Sequence, residues 1–121
     1  MTKYDVTIVK IGDLVKEFLN REKLLVLYDE MAPMELHDIS VIHTKGQLNT
    51  DVEIGDRLYI DKKEFEVTAI GSLANKNIKE IGHVCLKFDG MKTPELPGYI
   101  HVNGDEINDI SIGLKIQIKN K

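Results

Sequence analysis

The sequence predicts a mainly β fold, a small barrel or sandwich of about seven or eight short strands with two short helices. Three observations carry this. Short stretches of alternating apolar and polar residues recur along the chain, and Gly, Asp-Gly and Asn-Gly turns punctuate them. Only two segments space their apolar residues at helical intervals. A regular strand–helix–strand alternation, the mark of a parallel sheet, is missing. At 121 residues the chain is expected to form one domain, residues 1–121, with a real core.

Thr2 to Ile11 reads as a strand, with Tyr4, Val6, Ile8 and Lys10 on one face. Gly12-Asp13 breaks it. Leu14, Val15, Phe18 and Leu19 then recur at helical spacing, with Asp13 as the expected N-cap. Lys23 to Tyr28 is a short apolar run suited to a buried strand. Asp29 to Asp38 contains Pro33 and reads as a loop with one helical turn after Ala32. Ile39 to His43 is the next strand.

Gln47 to Asp56 is polar and turn-rich. Arg57 to Ile60 and Glu64 to Ile70 form a hairpin across the turn Asp61-Lys62-Lys63, with Phe65, Val67 and Ala69 inward. Leu73 to Ile81 is the second helical segment, with Ser72 or Asn75 as the expected cap. His83 to Phe88 is a strand ended by Asp89-Gly90. Met91 to Leu96 is an excursion, and Tyr99 to Val102 a strand ended by Asn103-Gly104. The last strand alternates Leu114, Ile116 and Ile118 with Lys115, Gln117 and Lys119.

Composition is that of an ordinary soluble globular domain, 42% hydrophobic and 30% charged. No apolar run approaches the roughly 18 to 20 residues of a membrane span, so no direct membrane insertion is expected. The first residues hold no apolar signal core, and the single cysteine, Cys85, cannot form an internal disulfide. Both features fit a cytoplasmic protein. The net charge is −4 and the basic residues are scattered, which disfavours nucleic acid as a partner. An electronegative surface suits a protein partner that presents Arg and Lys.

The segment with the most chemistry is Val41-Ile42-His43-Thr44-Lys45-Gly46-Gln47-Leu48. An apolar strand delivers an imidazole to a loop that supplies a hydroxyl, an ammonium group and a glycine. Neutral imidazole is a good nucleophile, and the neighbours could hold an oxyanion beside it. The plainer alternative is a strand-end histidine that caps a turn.

The chain has four histidines. His37 lies in an acidic loop and reads as a solvated surface residue. His83 and His101 lie at or within apolar strands, where hydrogen-bonded structural histidines are common. Together with His43 they could also form a three-imidazole metal site, although their spacing matches no short ligand motif. Ser40, Ser72 and Ser111 lack a nucleophile elbow, and there is no phosphate loop or dinucleotide fingerprint. Cys85 lies mid-strand, where a thiol is usually inert packing. Asp105, Glu106 and Asp109 read as a solvated turn.

Val41 to Leu48 combines with three further segments: Val67-Thr68-Ala69-Ile70-Gly71-Ser72, Gly82-His83-Val84-Cys85-Leu86-Lys87-Phe88-Asp89-Gly90, and Leu96-Pro97-Gly98-Tyr99-Ile100-His101-Val102. In this order they resemble the glucitol/sorbitol-specific IIA component of the bacterial phosphoenolpyruvate-dependent sugar phosphotransferase system. The resemblance covers nearly the whole chain. It implies a phosphocarrier that accepts a phosphoryl group from phospho-HPr on a histidine and passes it to the IIB domain of the glucitol/sorbitol permease. It implies no cofactor and no bound metal.

The residue matching the phosphorylated histidine is His43. His83 also matches the pattern and is expected as its electrostatic partner. His101 matches more loosely, His37 has no counterpart, and Cys85 stands where the motif varies. Phosphoryl transfer asks mainly for positioning and charge stabilisation. The expected geometry therefore pins one nitrogen of His43 as N–H on a backbone carbonyl of the adjoining strand and turns Nε2 to solvent. Thr44, Lys45 and Gly46 are the expected phosphate cradle, with an exposed, partly apolar docking rim.

Two other readings remain beside this one. The first is a metal-binding β-barrel enzyme using His43, His83 and His101. The second is a non-catalytic interaction module with structural histidines, which full burial of the His43 ring would favour. Sugar specificity normally belongs to the membrane partner, and no residue pattern here encodes an oligomeric state.

Overall fold

The computed structural model describes residues 1–121 and shows a closed eight-stranded barrel. The strands are β1 (Thr2–Ile11), β2 (Leu24–Asp29), β3 (Ser40–His43), β4 (Arg57–Ile60), β5 (Lys63–Ile70), β6 (Val84–Lys87), β7 (Tyr99–Gly104) and β8 (Lys115–Lys119). Their order around the barrel is β1-β3-β2-β6-β7-β5-β4-β8. Two α-helices, α1 (Val15–Glu22) and α2 (Ala74–Ile81), and a 3₁₀ turn at Met34–Ile39 complete the chain.

Alternation decides which side chains fill the barrel. Tyr4, Val6 and Ile8 of β1 are buried, as are Phe65, Val67 and Ala69 of β5 and Ile116 and Ile118 of β8. Each set is the inward face that the period-two pattern marks. α1 buries Val15 and Leu19 and packs against β2, while α2 buries Ala74 and Ile78 and packs against β6. Both helices end on a left-handed residue, Lys23 (φ 55°) and Gly82 (φ 61°), which lets the chain turn directly into a strand.

Several expectations change. Neither helix has a side-chain cap. Its N-cap is Leu14 in α1 and Leu73 in α2, so Asp13, Ser72 and Asn75 are not caps. Asn75 instead accepts the Val52 N–H at 2.7 Å and donates to the Val52 carbonyl at 3.1 Å, tying α2 to the loop before β4. The single helical turn expected after Ala32 is a six-residue 3₁₀ segment. Lys63 opens β5 rather than sitting in the turn.

Two neighbouring pairs, β2–β3 and β6–β7, run parallel. The missing strand–helix–strand pattern did not signal them, because no α-helix makes the crossovers: residues 30–39, with their 3₁₀ segment, join β2 to β3, and residues 88–98 join β6 to β7.

The loop after β3 is held against β1 by a buried lysine. Lys3, 3% exposed, donates to Asp56 Oδ2 at 2.7 Å, to the Asp51 carbonyl at 2.9 Å and to Glu53 Oε1 at 3.3 Å. Leu48 and Val52 of the same loop are buried in the core. These bonds fix the loop just past His43 and so help define the site.

Candidate functional site

β3 is buried at all four positions and ends at His43, which is 0% exposed. In the parallel β2–β3 ladder His43 is paired with Asp29, itself buried at the end of β2. Tyr4 of β1 meets the imidazole edge-on, with ring centroids 6.0 Å apart at 88°. Gly82 closes the group, and a Cβ there would lie 2.7 Å from Asp29 Cβ, 2.9 Å from His43 Cε1 and 3.1 Å from the Tyr4 hydroxyl. His43, Asp29, Tyr4 and Gly82 thus form one buried knot at the end of three strands and a helix.

The ring nitrogens of His43 both face backbone carbonyls. Nδ1 lies 2.7 Å from the Thr44 oxygen and Nε2 lies 2.8 Å from the Gly82 oxygen. The first contact is a carbonyl pin, but it comes from the next residue rather than from the adjoining strand. The second contact, with the ring fully buried, differs from the expectation that Nε2 faces solvent and is the geometry expected of a structural histidine. A neutral imidazole carries one N–H and can donate to only one of the two carbonyls. The Tyr4 hydroxyl is buried without a protein hydrogen-bond partner. Burial, and then the nearby Asp29 charge, push its pKa up to about 12.

Thr44, Lys45 and Gly46 follow on the same loop, with other duties visible. Thr44 Oγ1 accepts the Thr7 N–H at 3.0 Å while the Thr44 N–H donates to the Thr7 carbonyl at 2.9 Å, so Thr44 extends the β1–β3 ladder. Lys45 is exposed and makes no ion pair. Gly46 packs where a Cβ would meet Val6 Cγ1 at 2.5 Å and Tyr4 Cε1 at 3.1 Å. Close packing on β1 is therefore a sufficient reason for glycine there.

His83 presents a different geometry. It is half-buried, its Nδ1 donates to the Leu27 carbonyl at 2.9 Å, and it stacks on Tyr28 with centroids 4.5 Å apart at 26°. Nε2 has no partner within the protein. Exposed apolar side chains flank the region in sequence: Met31 just past Asp29, and Ile81 just before Gly82.

The remaining histidines are occupied. His101, 0% exposed, donates from Nδ1 to Asp89 Oδ1 at 2.8 Å and accepts the Glu95 N–H on Nε2 at 3.0 Å. His37 is half-buried, with Nε2 on the Ala32 carbonyl at 3.0 Å and Nδ1 2.8 Å from Lys10 Nζ. It is therefore not the freely solvated residue expected. His43, His83 and His101 do not converge, and no group of three or more His, Cys, Asp or Glu side chains is placed to hold a metal. The metal-enzyme reading finds no support in this arrangement. Burial pushes the Cys85 thiol up to about 11, in keeping with inert packing.

Tyr4, Asp29 and Gly82 were not singled out from the sequence. Asp29 had a usable signal, since it continues the inward parity of Leu25 and Leu27. Gly82 stands inside the Gly-His-Val motif, but only the fold shows that it touches a residue 39 positions away.

Comparison with known proteins bears on the family of the chain. The family model for the glucitol/sorbitol-specific IIA component of the phosphotransferase system matches residues 3–117. Two proteins named glucitol/sorbitol-specific EIIA components, from Shigella flexneri and Escherichia coli, are each 36% identical over 110 residues, spanning 91% of this chain and 89% of theirs. The crystal structure of a phosphotransferase-system IIA component from Enterococcus faecalis has the same fold. Its TM-score is 0.78 at 24% identity, over 93% of this chain and 96% of that one. By length of match and by identity, the chain belongs to the glucitol/sorbitol-specific IIA components of the phosphotransferase system.

Proposed function

We propose that this protein accepts a phosphoryl group from phospho-HPr on His43 Nε2 and passes it to the IIB domain of a glucitol/sorbitol permease. It acts in the cytoplasm as a single domain of residues 1–121. The observation that carries the assignment within the site is the 2.7 Å contact between His43 Nδ1 and the Thr44 carbonyl. We assign the ring proton to Nδ1 on this contact, which leaves the lone pair on Nε2.

In the transfer, the Nε2 lone pair forms a bond to phosphorus as the N–P bond of the donor histidine breaks. The donor nitrogen keeps that electron pair. Nδ1–H stays on Thr44 throughout, so the new phosphoimidazole keeps a fixed orientation for the return step. Lys45, exposed and unpaired, supplies positive charge toward the phosphoryl oxygens, and Thr44 offers its hydroxyl hydrogen. Met31 and Ile81 contribute to the apolar rim on which the partners dock.

The test is incubation with labelled phosphoenolpyruvate, the first phosphotransferase enzyme and HPr. Acid-labile, base-stable label is expected on the wild type and absent from His43→Ala. Label on that variant removes His43 from the role.

One observation favours a second reading, in which His83 carries the phosphoryl group. Its Nδ1 is pinned on Leu27 and its Nε2 is free, whereas His43 is fully buried. In that case His83→Ala loses all label and His43→Ala keeps it.

A further inference from the structure

A phosphoryl group can reach His43 Nε2 only if the Gly82 carbonyl leaves it. We propose that the Gly82–His83 peptide is a gate over His43 Nε2, and that His83 is the positioning residue that holds it shut. The inference rests on His43 being the acceptor.

The conflict built into the closed state comes first. Thr44 and Gly82 both present carbonyl oxygens to one imidazole, at 2.7 and 2.8 Å. In the neutral ring one of these contacts sets a lone pair against an oxygen. The Thr44 carbonyl belongs to the residue next to His43, in a segment laddered to β1 through Thr7, and has little freedom to withdraw. Gly82 has more. It is the left-handed C-cap of α2, at φ 61° and ψ 26°, where glycine exchanges backbone states that other residues cannot. The nucleophilic tautomer, with its proton on Nδ1, is the one that destabilises the Gly82 contact and favours opening.

Rotation of the Gly82–His83 peptide breaks one further bond, the 3.2 Å His83 N–H to the Asn77 carbonyl. The Gly82 N–H stays on Ile78 at 3.0 Å, so α2 itself need not unwind. Both freed groups can bond water, so the net cost is small.

Two contacts oppose the motion from the strand side: the His83 Nδ1 bond to the Leu27 carbonyl and the stack on Tyr28. Both fasten the His83 end of the peptide to β2. The other charged or polar side chains facing the knot, Asp29 and Tyr4, pack directly against Gly82 but do not hold it by hydrogen bonds. Asp29 is engaged with the Met31 N–H at 2.8 Å.

The gate is read without any phosphoryl donor, by diethyl pyrocarbonate acylation of unprotonated imidazole followed by peptide mass spectrometry. In the wild type, His43 is expected to react at least about tenfold more slowly than His83, as a group reached only through a local opening. In His83→Ala, with the Leu27 anchor gone, acylation of His43 rises about tenfold. His83→Gln, whose amide can donate to the same carbonyl, brings it back toward the wild-type rate.

Gly82→Ala is an independent second variant. Its Cβ would lie 2.7 Å from Asp29 Cβ and 2.9 Å from His43 Cε1, forcing the peptide outward, and it too should speed His43 acylation. Equal reactivity of His43 and His83 in the wild type overturns the gate, as does unchanged His43 protection in both His83→Ala and Gly82→Ala. Phosphoryl label persisting in His43→Ala ends the acceptor assignment instead, and leaves the acylation result to stand by itself.

Discussion

Asp89 and His101 form a hydrogen-bonded pair, with His101 Nδ1 donating to Asp89 Oδ1 at 2.8 Å while His101 Nε2 accepts the Glu95 N–H at 3.0 Å. Every hydrogen-bonding position of the ring is used. Of the histidines in the family-like segments, this one is fastened at both nitrogens by complementary partners, and it braces residues 89–95 against β7. His101→Ala leaves the Glu95 N–H unpaired and removes a fully buried ring. We expect it to cost about 3 kcal/mol in urea unfolding. His43-linked phosphoryl label should be retained at temperatures where the variant is folded.

The same pair sets an acid limb. Loss of solvent raises the Asp89 carboxyl, but hydrogen bonds from His101 and the Met91 N–H, with the nearby Lys87 charge, outweigh that and hold it below the ordinary range. A depressed carboxyl contributes stability above its unfolded value of about 3.9 and loses it as pH falls through the lower folded value. Asp89→Asn should therefore be less stable than wild type at neutral pH, and the gap should close below about pH 4. Melting temperatures across that range decide it. A constant gap would mean that the carboxylate charge is not the source.

Lys3 is 3% exposed and Asp56 2%, with 2.7 Å between their charged groups. Burial lowers the Lys3 pKa, and its bonds to Asp56 and Glu53 more than reverse this, so it lies above the ordinary lysine value. Removing one member of such a pair leaves a buried charge alone. Lys3→Met is expected to cost about 3 to 5 kcal/mol in denaturant unfolding. A double variant, Lys3→Met with Asp56→Leu, should recover much of that loss. If the single and double variants unfold alike, the pair is not coupled.

Tyr4 carries a buried hydroxyl with no protein partner and a pKa pushed up to about 12 by burial and by Asp29. Because burial disfavours the phenolate, the fold loses stability as pH climbs from the unfolded value of about 10 through the higher folded value, and is unaffected by this ionisation below that range. Tyr4→Phe should raise stability near neutrality by about 1 kcal/mol and flatten the loss above about pH 10. Destabilisation by this change would show that the hydroxyl is bonded in solution.

Gly46 separates packing from phosphate binding. Gly46→Ala should destabilise by about 1 to 3 kcal/mol through its contact with Val6 and Tyr4. Lys45→Ala should leave stability within about 0.5 kcal/mol, because it is exposed and unpaired, yet slow phosphoryl entry. Equal effects of both changes on labelling rate, with no effect on stability, would return Gly46 to the cradle.

Much of this architecture was legible in the residues. The alternations in β1, β5 and β8 depend only on strand geometry, which puts every second side chain inside. The two helices were visible in the spacing of Val15 and Leu19 and of Ala74 and Ile78. The ordered motifs around His43, Gly71, His83 and Tyr99 carried the family. Asp13, Ser72 and Asn75 have the chemistry of helix caps, whereas the N-cap position of each helix is taken by a leucine, Leu14 or Leu73.

The sequence by itself determined the barrel's inward faces and the family, because both are carried by local order along the chain. Tertiary structure alone decided that β2–β3 and β6–β7 run parallel, that Lys3 is buried, and that His101 is braced by Asp89. It also decided that a glycine 39 residues away covers the imidazole of His43. These facts depend on which distant strands become neighbours when the barrel closes, and a period-two pattern is the same for every such closure.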